Sequence, residues 1–266
     1  MEAEKRSERW NDWLFHYQYL FRQRYTKRQK RKFVRALATD LQALDADVRV
    51  ENTGTKKEPA YRVVVHDPAK ADQIIVTYFE GARPVLGDLD LLDVQDVKRK
   101  TMRKLGLDIA CWLVATIALA GLFFRMKVQG VGVVVFGLGF LLLFGWARMI
   151  RDGSSFSPSL VRNTSSILAM LNMVECAPKS TAFVFVERAH GSFKALKKSL
   201  NAKKGSRLVF LDCVGADAPL HRVSQEGVER VFAASKQADR YVLSSKQLHA
   251  KTINQNNIEQ VTRWLA

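Results

Sequence analysis

Cysteine is scarce: three in 266 residues, none paired with another at metal-ligand spacing. Cys111 lies inside a hydrophobic run, and Cys176 and Cys213 sit among apolar neighbours, so neither a disulfide framework nor a cysteine-built metal centre is expected. The pattern suits a reducing compartment. A secretory signal is lacking too: Met1 to Glu8 is charged, and the aromatic stretch behind it has no continuous apolar core. No histidine stands in an HExxH or CxxC context, and no nucleic-acid fold motif accompanies the basic residues, so no nucleic-acid partner is expected. Acid is missing altogether between Arg22 and Arg35.

Positive charge, by contrast, is in excess. There are 42 Lys and Arg against 26 Asp and Glu, a formal net charge of +16. Such a chain favours an anionic partner, nucleic acid or anionic lipid. Two hydrophobic runs, Leu105 to Phe124 and Val128 to Ile150, make lipid the simpler choice. Each has about 20 residues or more, enough to cross a hydrocarbon layer of ~30 Å. Arg125-Met126-Lys127 is so short a connection that the two form a hairpin. A hairpin buried in a soluble core is the competing reading, and runs this long exceed what most such cores use.

The amino-terminal segment, 1–35, combines two signals. Trp10, Trp13, Leu14, Tyr17, Leu20 and Phe21 recur at helical steps. Arg22, Arg24, Lys27, Arg28, Lys30, Arg31 and Lys32 follow. One expectation is a helix at the headgroups of an anionic leaflet, with Trp10, Trp13 and these basic residues binding lipid. The other is a helix packed on the body with a solvated basic end.

Elsewhere helices and strands alternate, which signals an α/β domain. Phe33 to Leu44 has helical spacing, Val48-Arg49-Val50 alternates, and Tyr61–His66 and Gln73–Phe79 read as strands around an Asp67-Pro68 turn. Beyond a Gly/Ser linker at Gly153–Pro158, Ser159–Val174 reads as a helix and Thr181–Glu187 as a strand. Ser192–Leu200 reads as a helix, Leu208–Cys213 as a strand, and both Val223–Lys236 and Ile258–Leu265 as helices. The two polar stretches, 36–100 and 155–266, are each too short for a convincing domain, so they are expected to form one domain with the hairpin, 105–150, inserted into it.

Several words along the chain, taken in order, carry a resemblance. They are Thr26 to Phe33; Val63-Val64-Val65-His66-Asp67-Pro68-Ala69-Lys70-Ala71-Asp72 ahead of Ile74-Ile75-Val76-Thr77; Arg162-Asn163-Thr164-Ser165-Ser166; Thr181 to Glu187; Leu211-Asp212-Cys213-Val214-Gly215; and His249-Ala250-Lys251-Thr252. Together they resemble the zinc-dependent aminopeptidases with a two-zinc centre, in particular a membrane-embedded branch with a hydrophobic hairpin between its first two metal motifs. The resemblance implies a single aminopeptidase-like three-layer α/β domain interrupted by a two-helix transmembrane hairpin.

Carried over position by position, the family's metal site is degenerate. Tyr78 or Phe79 stands where the first ligand His would be, and Glu80 falls near a ligand Asp. Arg162 takes the place of the bridging Asp, Ala189 that of the general-base Glu, and His190 that of the next ligand Glu. Asp212 and His249 match the remaining ligands. A guanidinium offers a metal no lone pair, and without a base at position 189 the family's hydrolysis lacks its proton acceptor. The expectation is therefore a catalytically inactive, aminopeptidase-like membrane protein with no cofactor, binding a peptide or protein partner, and an Arg162–Asp212 ion pair in the old metal centre. The alternative is a membrane-bound metallo-aminopeptidase with a rearranged zinc site made of Glu80, His190, Asp212 and His249.

Topology follows from the flanks. Lys98, Arg99, Lys100, Arg103, Lys104, Arg148, Arg151 and Arg162 lie outside the hairpin, against Arg125 and Lys127 at its tip. The excess predicts a multi-pass protein of the cell membrane with both termini cytoplasmic. A cysteine placed at Gln129 should react in intact cells with a membrane-impermeant maleimide, and one placed at Ser155 should not. The reverse pattern would rule the assignment out.

Overall fold

The computed structural model describes residues 2–55, 60–81, 83–125, 131–152, 160–188 and 193–266. The Gly153–Pro158 linker, the hairpin tip from Met126, and Ala189 and His190 lie outside them. A seven-stranded mixed sheet runs in the order β1-β2-β5-β3-β6-β8-β7. Its members are β1 (Val48–Asn52), β2 (Tyr61–Val65), β3 (Gln73–Tyr78), β5 (Thr181–Val186), β6 (Arg207–Asp212), β7 (Leu220–Gln225) and β8 (Val228–Ala233). Strands β5, β3, β6 and β8 are parallel, and the outer pairs are antiparallel. Strand β5, from beyond the hairpin, pairs with β2 and β3 from before it, in register from Gln73 against Thr181 to Tyr78 against Val186. The two polar stretches therefore make one sheet.

The central strands are buried on both faces, as their near-continuous apolar composition requires. On one face Ile75, Phe183, Phe185, Val209 and Leu211 pack under α1 (Glu2–Phe15), α2 (Lys27–Gln42), α5 (Ser165–Val174) and α8 (Gln255–Leu265). On the other, Ile74, Val76, Val184 and Phe210 meet Leu196 and Leu200 at α6 (Phe193–Ser199). Alternation along each strand thus feeds two cores. A small sheet of β4 (Leu89–Asp90), β10 (Arg240–Leu243) and β9 (Ser235–Gln237) packs beside α7 (Ser245–Leu248).

The aromatic stripe of the amino-terminal helix faces the body. Trp13 and Tyr17 are buried in the main core, and the Tyr17 hydroxyl donates to Asp40 Oδ2 at 2.6 Å. Arg6 and Arg9 reach Asn172 and Glu175 beside α5. A π turn at His16–Leu20 ends this helix, and α2 starts afresh with a capping box of Thr26 and Gln29, a cap worth ~1 kcal/mol. The lipid-facing expectation is corrected for three residues: Trp13, Arg24 and Lys30 are buried in the protein, because aromatic burial and internal polar partners hold them there. Trp10 also packs against the core. Lys27, Arg28, Arg31 and Lys32 remain exposed and Arg22 half-buried.

One helix expectation fails. Val223–Lys236 is a β-hairpin and the strand after it, with Glu226 (φ 53°) and Gly227 (φ 75°) making the turn. Two successive left-handed residues tighten an antiparallel pair, and Gly adopts this conformation without steric cost. Strand β8 then enters between β6 and β7, where Val231 and Phe232 are buried.

The hydrophobic runs form α3 (Val94–Arg125) and α4 (Val131–Asp152). Asp93 caps α3 by accepting from the Gln95 and Asp96 amides at 2.9 and 3.0 Å. At 1.5 Å per residue the helices are about 48 and 33 Å long. They pack on each other: Trp112 Nε1 donates to the Leu143 carbonyl at 2.9 Å, and the Phe123 and Phe136 rings meet edge to face. Both are long and apolar enough to cross a membrane, and none of either apolar window is buried in the protein.

Candidate functional site

Strand β3 is flanked by its parallel neighbours β5 and β6, which the chain reaches by crossovers to opposite sides. In open α/β sheets the crevice beyond the carboxyl ends of such strands is where ligands bind. The three strand ends here are Tyr78-Phe79-Glu80, Glu187-Arg188 and Asp212-Cys213. A π turn at Leu160–Thr164 brings Arg162, Asn163 and Thr164 against them, with Cys213 N donating to the Arg162 carbonyl at 2.9 Å.

Two polar networks fill this region. In the first, Lys30 Nζ is bonded to Glu80 Oε1 and, at 2.8 Å, to Glu187 Oε1. Glu187 Oε2 accepts from Tyr61 N at 3.0 Å, and Arg188 pairs with Glu80 at 3.0 Å. The fully buried Arg24 guanidinium lies 4.8 Å from the Phe33 ring centre and donates to Asn163 Oδ1 and Thr164 Oγ1 at 3.1 and 2.6 Å. Asn163 Nδ2 in turn donates to the Glu80 carbonyl. Burial lowers the Arg24 pKa to about 10, so it stays charged at neutral pH.

The second network is built on Asp212. Its Oδ1 accepts from the Tyr78 hydroxyl and from the Cys213 thiol, both at 3.2 Å. Burial, reinforced by Asp212, pushes both the Tyr78 and the Cys213 pKa well up. Arg162 lies beside all three groups. Burial acts to lower its pKa, and the Tyr78, Cys213 and Asp212 side chains outweigh it. One Arg162 Nη donates to the Arg83 carbonyl at 3.2 Å, while Nε is buried without a partner among the described residues. Cys213 holds a left-handed backbone (φ 53°), and its amide N–H donates to the Arg162 carbonyl.

Arg162 and Asp212 do come together, but among the described contacts there is no direct ion pair between them, and Tyr78 stands beside both. Glu80 is close by, yet its carboxylate turns to Lys30 and Arg188. His249 stands apart: it is exposed, its Nδ1 lies 2.7 Å from the Ser245 carbonyl, and it borders a cavity at the base of the hairpin. Ala189 and His190 lie outside the described residues. Arg24 and Lys30 were expected among the lipid-binding residues and belong to this site instead. Asn163 and Glu187 were expected only as parts of the Arg162–Ser166 and Thr181–Glu187 segments, with no role of their own.

The described donors do not suit a metal; His190, a member of the alternative zinc set, lies outside the described residues. Among the described residues, no group of three or more His, Cys, Asp or Glu is placed to hold one. The orphaned buried atom here is an N–H donor, the wrong polarity to meet a cation. A fixed guanidinium beside Asp212 would repel a dication.

Neither a protein-family model nor a curated relative matches this sequence. Solved structures do match. Two structures of Porphyromonas gingivalis glutaminyl cyclase superpose with a TM-score of 0.50 at 11% identity, covering 96% of this chain and 94% and 93% of theirs. Bacteroides thetaiotaomicron glutaminyl cyclase bound to N-acetylhistamine gives 0.48 at 10% identity, over 94% of this chain and 93% of that one. These neighbours share the zinc aminopeptidase-like fold, which the mixed sheet and its helices fit; at such identity the likeness concerns the fold alone.

Two outcomes follow from the networks. Replacing Lys30 by Met strands the Glu187 carboxylate and leaves Glu80 with Arg188 alone, and should destabilise the full chain by roughly 3–5 kcal/mol, read by chemical denaturation; a change below about 1 kcal/mol would show the network to be incidental. With its pKa raised, Cys213 should resist alkylation at pH 8 until the protein is unfolded, whereas the exposed Cys176 should react at once.

Proposed function

We propose that this chain is a membrane-anchored protein of the aminopeptidase-like fold that carries out no metal-dependent hydrolysis, and that its cytoplasmic body uses the cleft at the strand ends to bind a peptide or protein partner. The observation that carries the reading is Arg162 lodged beside Tyr78 and Asp212. Its cation takes over the structural task of metals by neutralising Asp212, while its carbonyl ties the π turn to the end of β6 by accepting from Cys213 N. Tyr78 completes the arrangement by donating to the carboxylate.

Anchoring rests on α3 and α4. Among the described residues their apolar surfaces have no cover beyond each other, and hydrocarbon is the environment that such surfaces fit. The basic flanks at Lys98 to Lys104 and Arg148 to Arg151 support a multi-pass membrane protein with the body and both termini in the cytoplasm. The exposed Lys27, Arg28, Arg31 and Lys32 add a face that favours anionic lipid over neutral lipid.

The test uses the full chain purified in detergent. Its zinc content by mass spectrometry should be far below one per chain, and neither aminoacyl anilides nor peptides with amino-terminal Gln should be turned over. Arg162→Ala should cost roughly 1–3 kcal/mol, because Tyr78 and Asp212 lose a partner in a buried setting. Arg162→Asp should not restore hydrolysis, since position 189 still lacks a base. Stoichiometric zinc, or turnover by the wild type, would defeat the proposal.

A further inference from the structure

A cavity of about 450 Å³ lies where the hairpin joins the body. One wall is apolar and belongs to the hairpin: Leu105 from α3, and Trp146 and Met149 from α4. Three cations border it, Arg83, Lys104 and Arg151. The acid among its lining residues, Asp108, is bonded to Lys104, so the lining keeps a net positive charge. Arg151 also touches Asp152 at 3.1 Å. His249, the residue matched to a metal ligand, lies on the body side.

The wall carrying Arg83 is fixed at both ends. Arg162 binds the Arg83 carbonyl at 3.2 Å. Five residues on, Asp88 accepts from Lys100 Nζ through its carbonyl at 2.5 Å, and from the Ser245 amide through Oδ1 at 2.8 Å. The segment is thereby strapped to α3 on one side and to α7 on the other, so the cavity has built walls.

We infer that this cavity holds the headgroup phosphate of an anionic glycerophospholipid, its acyl chains lying along the apolar face of the hairpin. The inference rests on the membrane-spanning reading of α3 and α4. A phosphate matches the cations at the rim, and basic pockets beside spanning helices on the cytoplasmic side take such headgroups. An indole at this level is the usual interfacial anchor. Free phosphate would satisfy the cations and leave Leu105, Trp146 and Met149 uncovered; a lipid covers both walls. This adds a lipid contact to the one offered by the exposed amino-terminal cations, since Trp13, Arg24 and Lys30 of that segment are buried.

The experiment titrates the detergent-purified full chain with dioctanoyl phosphatidylglycerol and dioctanoyl phosphatidylcholine, counting bound lipid by native mass spectrometry. Phosphatidylglycerol should bind about tenfold more tightly, as expected for one to two favourable cations. Arg83→Gln and Arg151→Gln should each weaken it about fivefold. Arg148→Gln, on the same helix end but outside the cavity lining, should leave it unchanged. Equal binding of the two lipids, an equal loss in Arg148→Gln, or displacement by inorganic phosphate at matching concentration would each overturn the inference. Carbonate extraction of cell membranes separates the two levels. Chain released by carbonate refutes the anchoring reading and the site with it, whereas chain retained without a lipid preference refutes the site alone.

Discussion

Lys30 reaches from the first turns of α2 to two carboxylates on neighbouring parallel strands, Glu80 beyond β3 and Glu187 beyond β5. One strand precedes the hydrophobic hairpin in the chain and the other follows it, so a single ammonium group joins the two halves. The bond requires α2 to lie over the sheet, and it draws Tyr61 N to the second oxygen of Glu187. Around it, Arg24, Asn163 and the Glu80 backbone form the next ring of contacts, which holds the π turn and therefore Arg162. Two carboxylates converging on these strand ends would repel each other and lose hydration without a cation between them. Lys30 and Arg188 supply that cation, and the geometry of the crevice depends on it.

The second constraint concerns Asp212. A carboxylate at the end of a buried parallel strand needs donors, and here they come from Tyr78, from Cys213 and from the neighbouring positive field of Arg162. A metal centre satisfies the same need by coordination, with several anions gathered around dications. The arrangement in this chain inverts the ratio, with one carboxylate, one cation and hydroxyl and thiol donors. Changing Arg162 alone would not recreate a metal centre, because the surrounding groups are chosen to serve an anion.

Much of the sheet was legible in the sequence because its signals are local. The apolar run Thr181 to Glu187, the alternation of Val48-Arg49-Val50 and the Asp67-Pro68 turn each act over a few residues. The hairpin at Glu226-Gly227 was misread because Val228 to Ala233, buried on both faces, has lost the alternation that separates a strand from a helix. The aromatic stripe of α1 was read correctly as one helical face, but periodicity cannot say whether that face meets lipid or protein. The candidate site was legible at Tyr78, Glu80, Arg162 and Asp212, and only through the family resemblance. Its other members are joined across spans of 50 to 157 residues, as Lys30 is to Glu80 and Glu187, and charges so far apart leave no pattern in sequence.

The insertion of the hairpin between β3 and β5 has a consequence for biogenesis. More than a hundred residues separate Gln73 from its partner Thr181, yet the strands pair directly. On the spanning reading, the hairpin returns the polypeptide to the leaflet it left, so closing the sheet asks little more chain entropy than a short connection would. A nascent chain whose second helix failed to insert would leave β5, β6 and β8 on the far side of the bilayer from β2 and β3, with the edges of β3 bare. On that reading completion of the sheet reports on membrane insertion, because β5 and β6 meet β3 only when both helices have crossed.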